Sequence, residues 1–215
     1  GHRHNQDLAR IRAVRDLYPE ARIRLDANGG LGVEAAERMA IAMMQFGVPL
    51  EYFEQPVATI PELAELRSRA MGMDVKIAAD ESIRRHMDPL EVARMQAADI
   101  MVIKAQPLGG VTRALDLTAQ AGLAAVVSSA LETSVGLAMG AQLASALASE
   151  YASGLGTATL LADDISDDPL RPENGFLEVR RVTPSSERLD RLEADSDRRD
   201  WWLQRLARAY QLLES

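Results

Sequence analysis

The chain has no cysteine, so disulfides and thiolate chemistry are excluded. That absence is compatible with a cytoplasmic protein, the location expected here. No apolar stretch approaches the ~20 residues that span a bilayer, so no membrane segment is expected. The N-terminal GHRHNQDLARIR is polar and lacks the apolar core of a signal peptide. Positive charge is not in excess either. The formal net charge is −8, which argues against a nucleic-acid surface and against an anionic membrane surface as partners. A small anionic substrate stays open, because a bound metal reverses the local field. Lysines are few.

What is present is ordinary in bulk. The 215 residues, 47% hydrophobic and 26% charged, suffice for one sizeable core or two small ones. The informative feature is a rhythm. RIRLD ends at Asp26, LEYFE at Glu54, KIAAD at Asp80, IMVIK at Lys104 and AVVSS at Ser129. The steps between those ends are 28, 26, 24 and 25 residues, about one strand–helix unit each. Runs such as IMVI and AAVV, apolar throughout, suit strands buried on both faces.

Helices are predicted over 6–18, with Leu8, Ile11, Val14 and Leu17 on one side, and over 33–46, 60–70, 88–97, 111–121 and 134–148. Pro61 and Pro89 suit first turns. Strands are predicted at 22–26, 50–54, 75–80, 100–104 and 124–129, with a short one at 152–156 and another at FLEVRRV. Residues 185–214 read as mostly helical, with Trp201 and Trp202 as packing anchors. The alternation describes an α/β fold, the C-terminal part of a TIM-type (β/α) barrel with a helical C-terminal tail. Six strand–helix units are countable where a closed barrel needs eight, and the first helix has no strand before it. The expected division is a partial barrel over 1–160, strands three to eight, then a C-terminal strand and helical tail over 161–215 packing on the barrel or a cap.

A parallel barrel gathers its strand C-termini around one mouth. Asp26, Glu54 and Asp80 would then form an oxygen site for a hard divalent cation, magnesium first and manganese second. Each acid taken singly also suits a helix N-cap. Lys104 at the end of IMVI would face the same mouth, rather than snorkel at the surface, and supply proton transfer or positive charge. Asn28 either bonds the site or serves the turn in DANGG. Gln55 and Glu81 stand beside metal ligands and would support them. Gly109-Gly110 either presents backbone N–H groups to an anion or makes a plain turn. His2, His4 and His86 have no partners at ligand spacing, and His86 reads as surface.

The wording around these acids, LDANGG, EYFEQP, AADES, VIKAQPLGG and SSALETSVGLA, resembles the enolase superfamily in its muconate-lactonising branch. Within that branch it is most similar to the actinobacterial o-succinylbenzoate synthases of menaquinone biosynthesis, over about residues 6–180. The resemblance implies that Asp26, Glu54 and Asp80 are magnesium ligands and that Lys104 faces an enediolate. It implies that Ser128, Ser129 and Glu132 lie where a small carboxylate substrate binds; Gly109 and Asn28 are expected beside them as further substrate contacts. The implied reaction is a dehydration. N-acylamino acid racemase and dipeptide epimerase share the scaffold, and GLGTAT lacks the Asp-x-Asp expected of the latter. The family's capping domain and its Lys-x-Lys general base find no match here. The chain is therefore expected to be a fragment with little activity of its own, a catalytically inactive truncated product being the alternative. Oligomeric state is not legible.

Overall fold

The computed structural model describes residues 2–212, with side-chain surroundings from residue 6 onward; the readings of His2 and His4 lie outside the latter. Helix α1 (His2–Leu17) leads into strand β1 (Ile23–Asp26) and helix α2 (Val33–Gln45). Strand β2 (Leu50–Glu54) is followed by α3 (Ile60–Arg69), and β3 (Ile77–Ala79) by two single turns, α4 (Glu81–Arg84) and α5 (Glu91–Arg94). Then come β4 (Ile100–Ile103), α6 (Val111–Ala121), β5 (Ala124–Val127) and α7 (Ser134–Leu147). The tail holds α8 (Ser186–Arg191) and α9 (Ser196–Gln211). The strands form one parallel sheet in the order β1-β2-β3-β4-β5, an open segment of a (β/α) barrel.

Local chemistry explains the helix starts and stops. Thr59 and Glu62 form a reciprocal capping box at α3, with Pro61 in the first turn. Gly122 ends α6 in the left-handed conformation. Only the first half of the α1 stripe, Leu8 and Ile11, packs on the core; Val14 and Leu17 are exposed.

Side chains alternate across the strands and separate two apolar layers. Phe53, Ile77, Met101, Ile103 and Val127 face outward onto the helices, where they meet Met43, Leu63, Leu137 and Leu143. Tyr52, Ala78, Ile100, Val102 and Val126 face inward with Tyr151. Arg24 is in register with Tyr52, stacks over its ring at 4.8 Å, and reaches Ala152 O at 2.8 Å across the concave side.

Four expectations are corrected. The strand expected at 152–156 is a single bridge, Ser128 to Gly154, because two glycines weaken the segment as a strand. FLEVRRV is irregular: its one backbone bridge is the local pair Glu173–Phe176, while Leu177 and Val182 pack on the core and Arg180 donates to Asp168 O, so side chains rather than a ladder hold it. The helix expected over 88–97 is one turn, α5, opened by Asp88 Oδ1 accepting from Leu90 N and closed by Gln96 at φ 50°. Trp201 and Trp202 do not anchor the tail, being 41% and 51% exposed. Adjacent residues on a helix point in different directions, so both cannot face one core. They pack edge to face on each other at 4.7 Å and under Arg198 and Arg205.

Candidate active site

The inward parity that places Tyr52, Ala78, Val102 and Val126 continues by one step of two residues to Glu54, Asp80, Lys104 and Ser128. Asp26 joins them through its register with Glu54. Three acids, a lysine and a serine therefore stand on one face at the C-terminal ends of five adjacent strands.

Their contacts are specific. Lys104 Nζ donates to Asp80 Oδ2 at 2.6 Å, and both side chains are largely buried, 12% and 5% exposed. Arg84 Nε donates to Asp80 Oδ1 at 3.0 Å, and its Nη2 to Glu81 Oε1 at 2.5 Å. Glu81 Oε2 is buried without a hydrogen-bond partner. The backbone N–H of Asn28 donates to Asp26 Oδ1 at 2.8 Å, and Asn28 sits at φ 48°, so the residue makes the turn that holds this acid. Gln55, fully buried, accepts from the backbone N–H of Asp80 and donates to Ser82 Oγ. Glu54 is pushed up to about 7, first by burial, then by the charges of Asp26 and Asp80, with Lys104 opposing.

The donor set suits a hard divalent cation: all the acids offer oxygen, their charges crowd Glu54, and one buried carboxylate oxygen of Glu81 has no donor. Among the described residues, however, no three acidic or histidine side chains are gathered closely enough to hold a metal as they stand. Like charges repel, and Lys104 with Arg84 draws Asp80 to their own side. A cation here would be held by Asp26, Glu54 and Asp80, with Glu81 adjacent.

The other expected positions divide. Ser129 Oγ bonds Gly154 O at 3.1 Å and Thr157 Oγ1 at 2.7 Å, so its hydroxyl stitches the β5 end to the segment after α7. Ser128 N–H extends the ladder to Ile103 O at 2.9 Å. Glu132 folds back to accept from Ala130 N at 2.9 Å. The amides of Gly109 and Gly110 are spent on Gln106 O and Ala105 O, at φ 91° and 108°; the contacts are those of a turn. His86 is at the surface, yet its Nε2 lies 3.4 Å from Glu91 Oε2 because the chain folds back between α4 and α5. Beside the mouth, Asn28, Gly29, Thr59, Glu81, Ser82 and Arg85 help line a cavity of about 420 Å³.

Two participants escape a reading of the sequence alone. Arg84 carried one signal, its i,i+4 spacing from Asp80. Ser82, whose hydroxyl accepts from Gln55, carried none.

Known proteins bear on this arrangement. Residues 1–184 match the family described as Enolase C-terminal domain-like. The o-succinylbenzoate synthase of Mycobacterium tuberculosis (strain ATCC 25618 / H37Rv) is 50% identical over 208 residues, which is 96% of this chain and 62% of that protein. That of Thermobifida fusca (strain YX) is 52% identical over 205 residues, 94% of this chain and 62% of that protein. The chain thus spans about 62% of the length of the curated relatives it matches. Among solved structures, a mandelate racemase/muconate lactonizing enzyme from Roseiflexus sp. superposes with a TM-score of 0.76 at 30% identity, covering 85% of this chain and 54% of that one. A muconate lactonizing enzyme from Pseudomonas fluorescens gives 0.74 at 25% identity, covering 87% and 52%. Parallel strands in an open barrel segment, acids at three strand ends, and a family match over most of its length together establish that this chain belongs to the enolase C-terminal domain-like family.

Proposed function

We propose that this chain is the barrel-bearing part of a magnesium-dependent lyase, an o-succinylbenzoate synthase, acting on a small carboxylate substrate in the cytoplasm. The observation that carries the reading is the buried Lys104–Asp80 contact at 2.6 Å, set beside Glu54 and Asp26 at the strand ends. When bound, the cation would offset the negative charge that builds on the substrate carboxylate as its α-proton leaves. Manganese has the same hard-oxygen preference and is the natural substitute.

The chain's own residues do the rest. Asp26, Glu54 and Asp80 would hold the cation, and Arg84 and Gln55 hold Asp80 in place. Lys104, oriented by Asp80, presents positive charge to the developing anion. The dehydration breaks a C–H and a C–O bond, forms a ring C=C bond, and releases the hydroxyl with a proton as water. Lys76, the other lysine, stands at the opposite end of the sheet, bonded to Tyr151. Lys76 therefore does not supply the proton-accepting base. Within this reading, residues 1–160 supply the barrel strands and 161–215 the tail that packs on the barrel or cap.

The test is turnover of 2-succinyl-6-hydroxy-2,4-cyclohexadiene-1-carboxylate, with Mg²⁺ and with chelator. A protein of the relatives' full length should show Mg²⁺-dependent turnover. This chain alone should be slower by ~10²–10⁴-fold, the usual loss on removing a general base. Metal-independent turnover by either would refute the reading.

A further inference from the structure

We infer that Gln55 is a positioning residue for the cation site, a single buried amide that sets the backbone of all three acid-bearing loops. The inference rests on the reading of Asp26, Glu54 and Asp80 as the cation's ligands. Gln55 is fully buried and adopts φ 32°, a conformation uncommon for a residue with a side chain. Its side chain is used at both ends. Nε2 donates to Val57 O at 2.9 Å and to Ser82 Oγ at 2.8 Å. Oε1 accepts from Asp80 N at 3.0 Å and Ser82 N at 3.2 Å. Two donors and two acceptor sites are all a carboxamide has, so the group is saturated.

The main chain of Gln55 adds the other loops. Its carbonyl accepts from Gly29 N at 2.7 Å, in the turn that follows Asp26, and its N–H donates to Ala78 O at 2.8 Å, two residues before Asp80. Glu54 is its covalent neighbour. Gly29 comes so close, at φ 73° with Ala58 Cα 3.3 Å from where a Cβ would stand, that the turn is pinned against the segment following β2. One residue therefore sets three acids relative to one another while touching none of their carboxylates. Saturated buried networks are rigid, which is what a cation with narrow Mg–O geometry requires of its ligands.

The experiment measures Mn²⁺ affinity of this chain by electron paramagnetic resonance, with far-UV circular dichroism to show that each variant is folded. Gln55→Leu keeps the volume and removes all four side-chain bonds; a Kd raised 10–100-fold, the usual effect of losing a group that orients a ligand, supports the inference. Gln55→Asn keeps the amide and suits the left-handed backbone but lacks one methylene of reach; it should also weaken binding by at least ~10-fold. Ser82→Ala deletes one of the four bonds and decides the case if Gln55→Leu does not fold; it should raise Kd several-fold. Asp26→Asn is the control on the site itself. If Asp26→Asn leaves Mn²⁺ affinity unchanged, the cation-site reading fails and this inference with it. If Asp26→Asn weakens binding while the folded Gln55 variants and Ser82→Ala bind as the parent does, the positioning role alone is overturned.

Discussion

Replacing Lys104 with methionine tests the arrangement of the mouth without any enzymatic assay. Methionine keeps the length of the side chain and removes the charge. In the native chain, Nζ lies 2.6 Å from Asp80 Oδ2, and the two side chains are 12% and 5% exposed. At an effective dielectric near 20, that separation corresponds to about 6 kcal/mol of attraction, from which desolvation of both groups is subtracted. Removing one partner of such a pair costs ~3–5 kcal/mol when the other is left alone. Asp80 is not left alone, because Arg84 remains at 3.0 Å. A loss of roughly 2–3 kcal/mol follows, or about 4–12 °C in Tm for a chain of this size.

The pH dependence is the sharper part. Glu54 is raised to about 7, by burial first and by Asp26 and Asp80 next, and Lys104 opposes that rise. A carboxyl raised above its unfolded value contributes stability that is full below about pH 4.5 and lost as pH climbs through about 7. Without Lys104 the rise is larger, so more stability is lost over that window. The Tm deficit of Lys104→Met relative to the parent should therefore be greater at pH 8 than at pH 5, by scanning calorimetry or by circular dichroism melts. Equal deficits at the two pH values, or no deficit at pH 8, would show that Lys104 does not face these carboxylates.

The same electrostatics predicts that Mg²⁺ raises Tm more at pH 8 than at pH 5, because below about 7 the cation competes with a proton on Glu54; a shift independent of pH in melts with and without millimolar Mg²⁺ would contradict this. Asp164 Oδ2 accepts from both N and Oγ of Ser134 at the buried start of α7, so Asp164→Ala should cost ~2–3 kcal/mol in urea unfolding by leaving that N–H without an acceptor; a change below ~0.5 kcal/mol would mean the site is hydrated. Trp201 and Trp202 lie on the exposed α9, so native fluorescence should be red-shifted and readily quenched by acrylamide, and blue-shifted emission resistant to quenching would place the helix against an apolar surface.

Much of this was legible beforehand. The spacing of Asp26, Glu54, Asp80 and Lys104 follows from chain length per strand–helix unit, and their common face follows from period-two alternation along strands of consistent register. Those are local properties, and the sequence by itself determines them. It also determines α3, whose Thr59, Pro61 and Glu62 carry the start signal within a few residues. The segment 152–156 and FLEVRRV have strand composition, but whether such a run becomes a strand depends on how the fold lays it against its neighbours, which is a tertiary matter. The break between α4 and α5, the Trp201–Trp202 pair stacked on its own arginines, and the fold-back of His86 onto Glu91 are of the same kind. So is the direction in which Asp80 points. Its position at a strand end is written in KIAAD, but the partners that turn its carboxylate, Lys104 at 24 residues' distance and Arg84 one helical turn on, act through space. Periodicity places a side chain on a face; only the balance of charges packed around it decides what it holds.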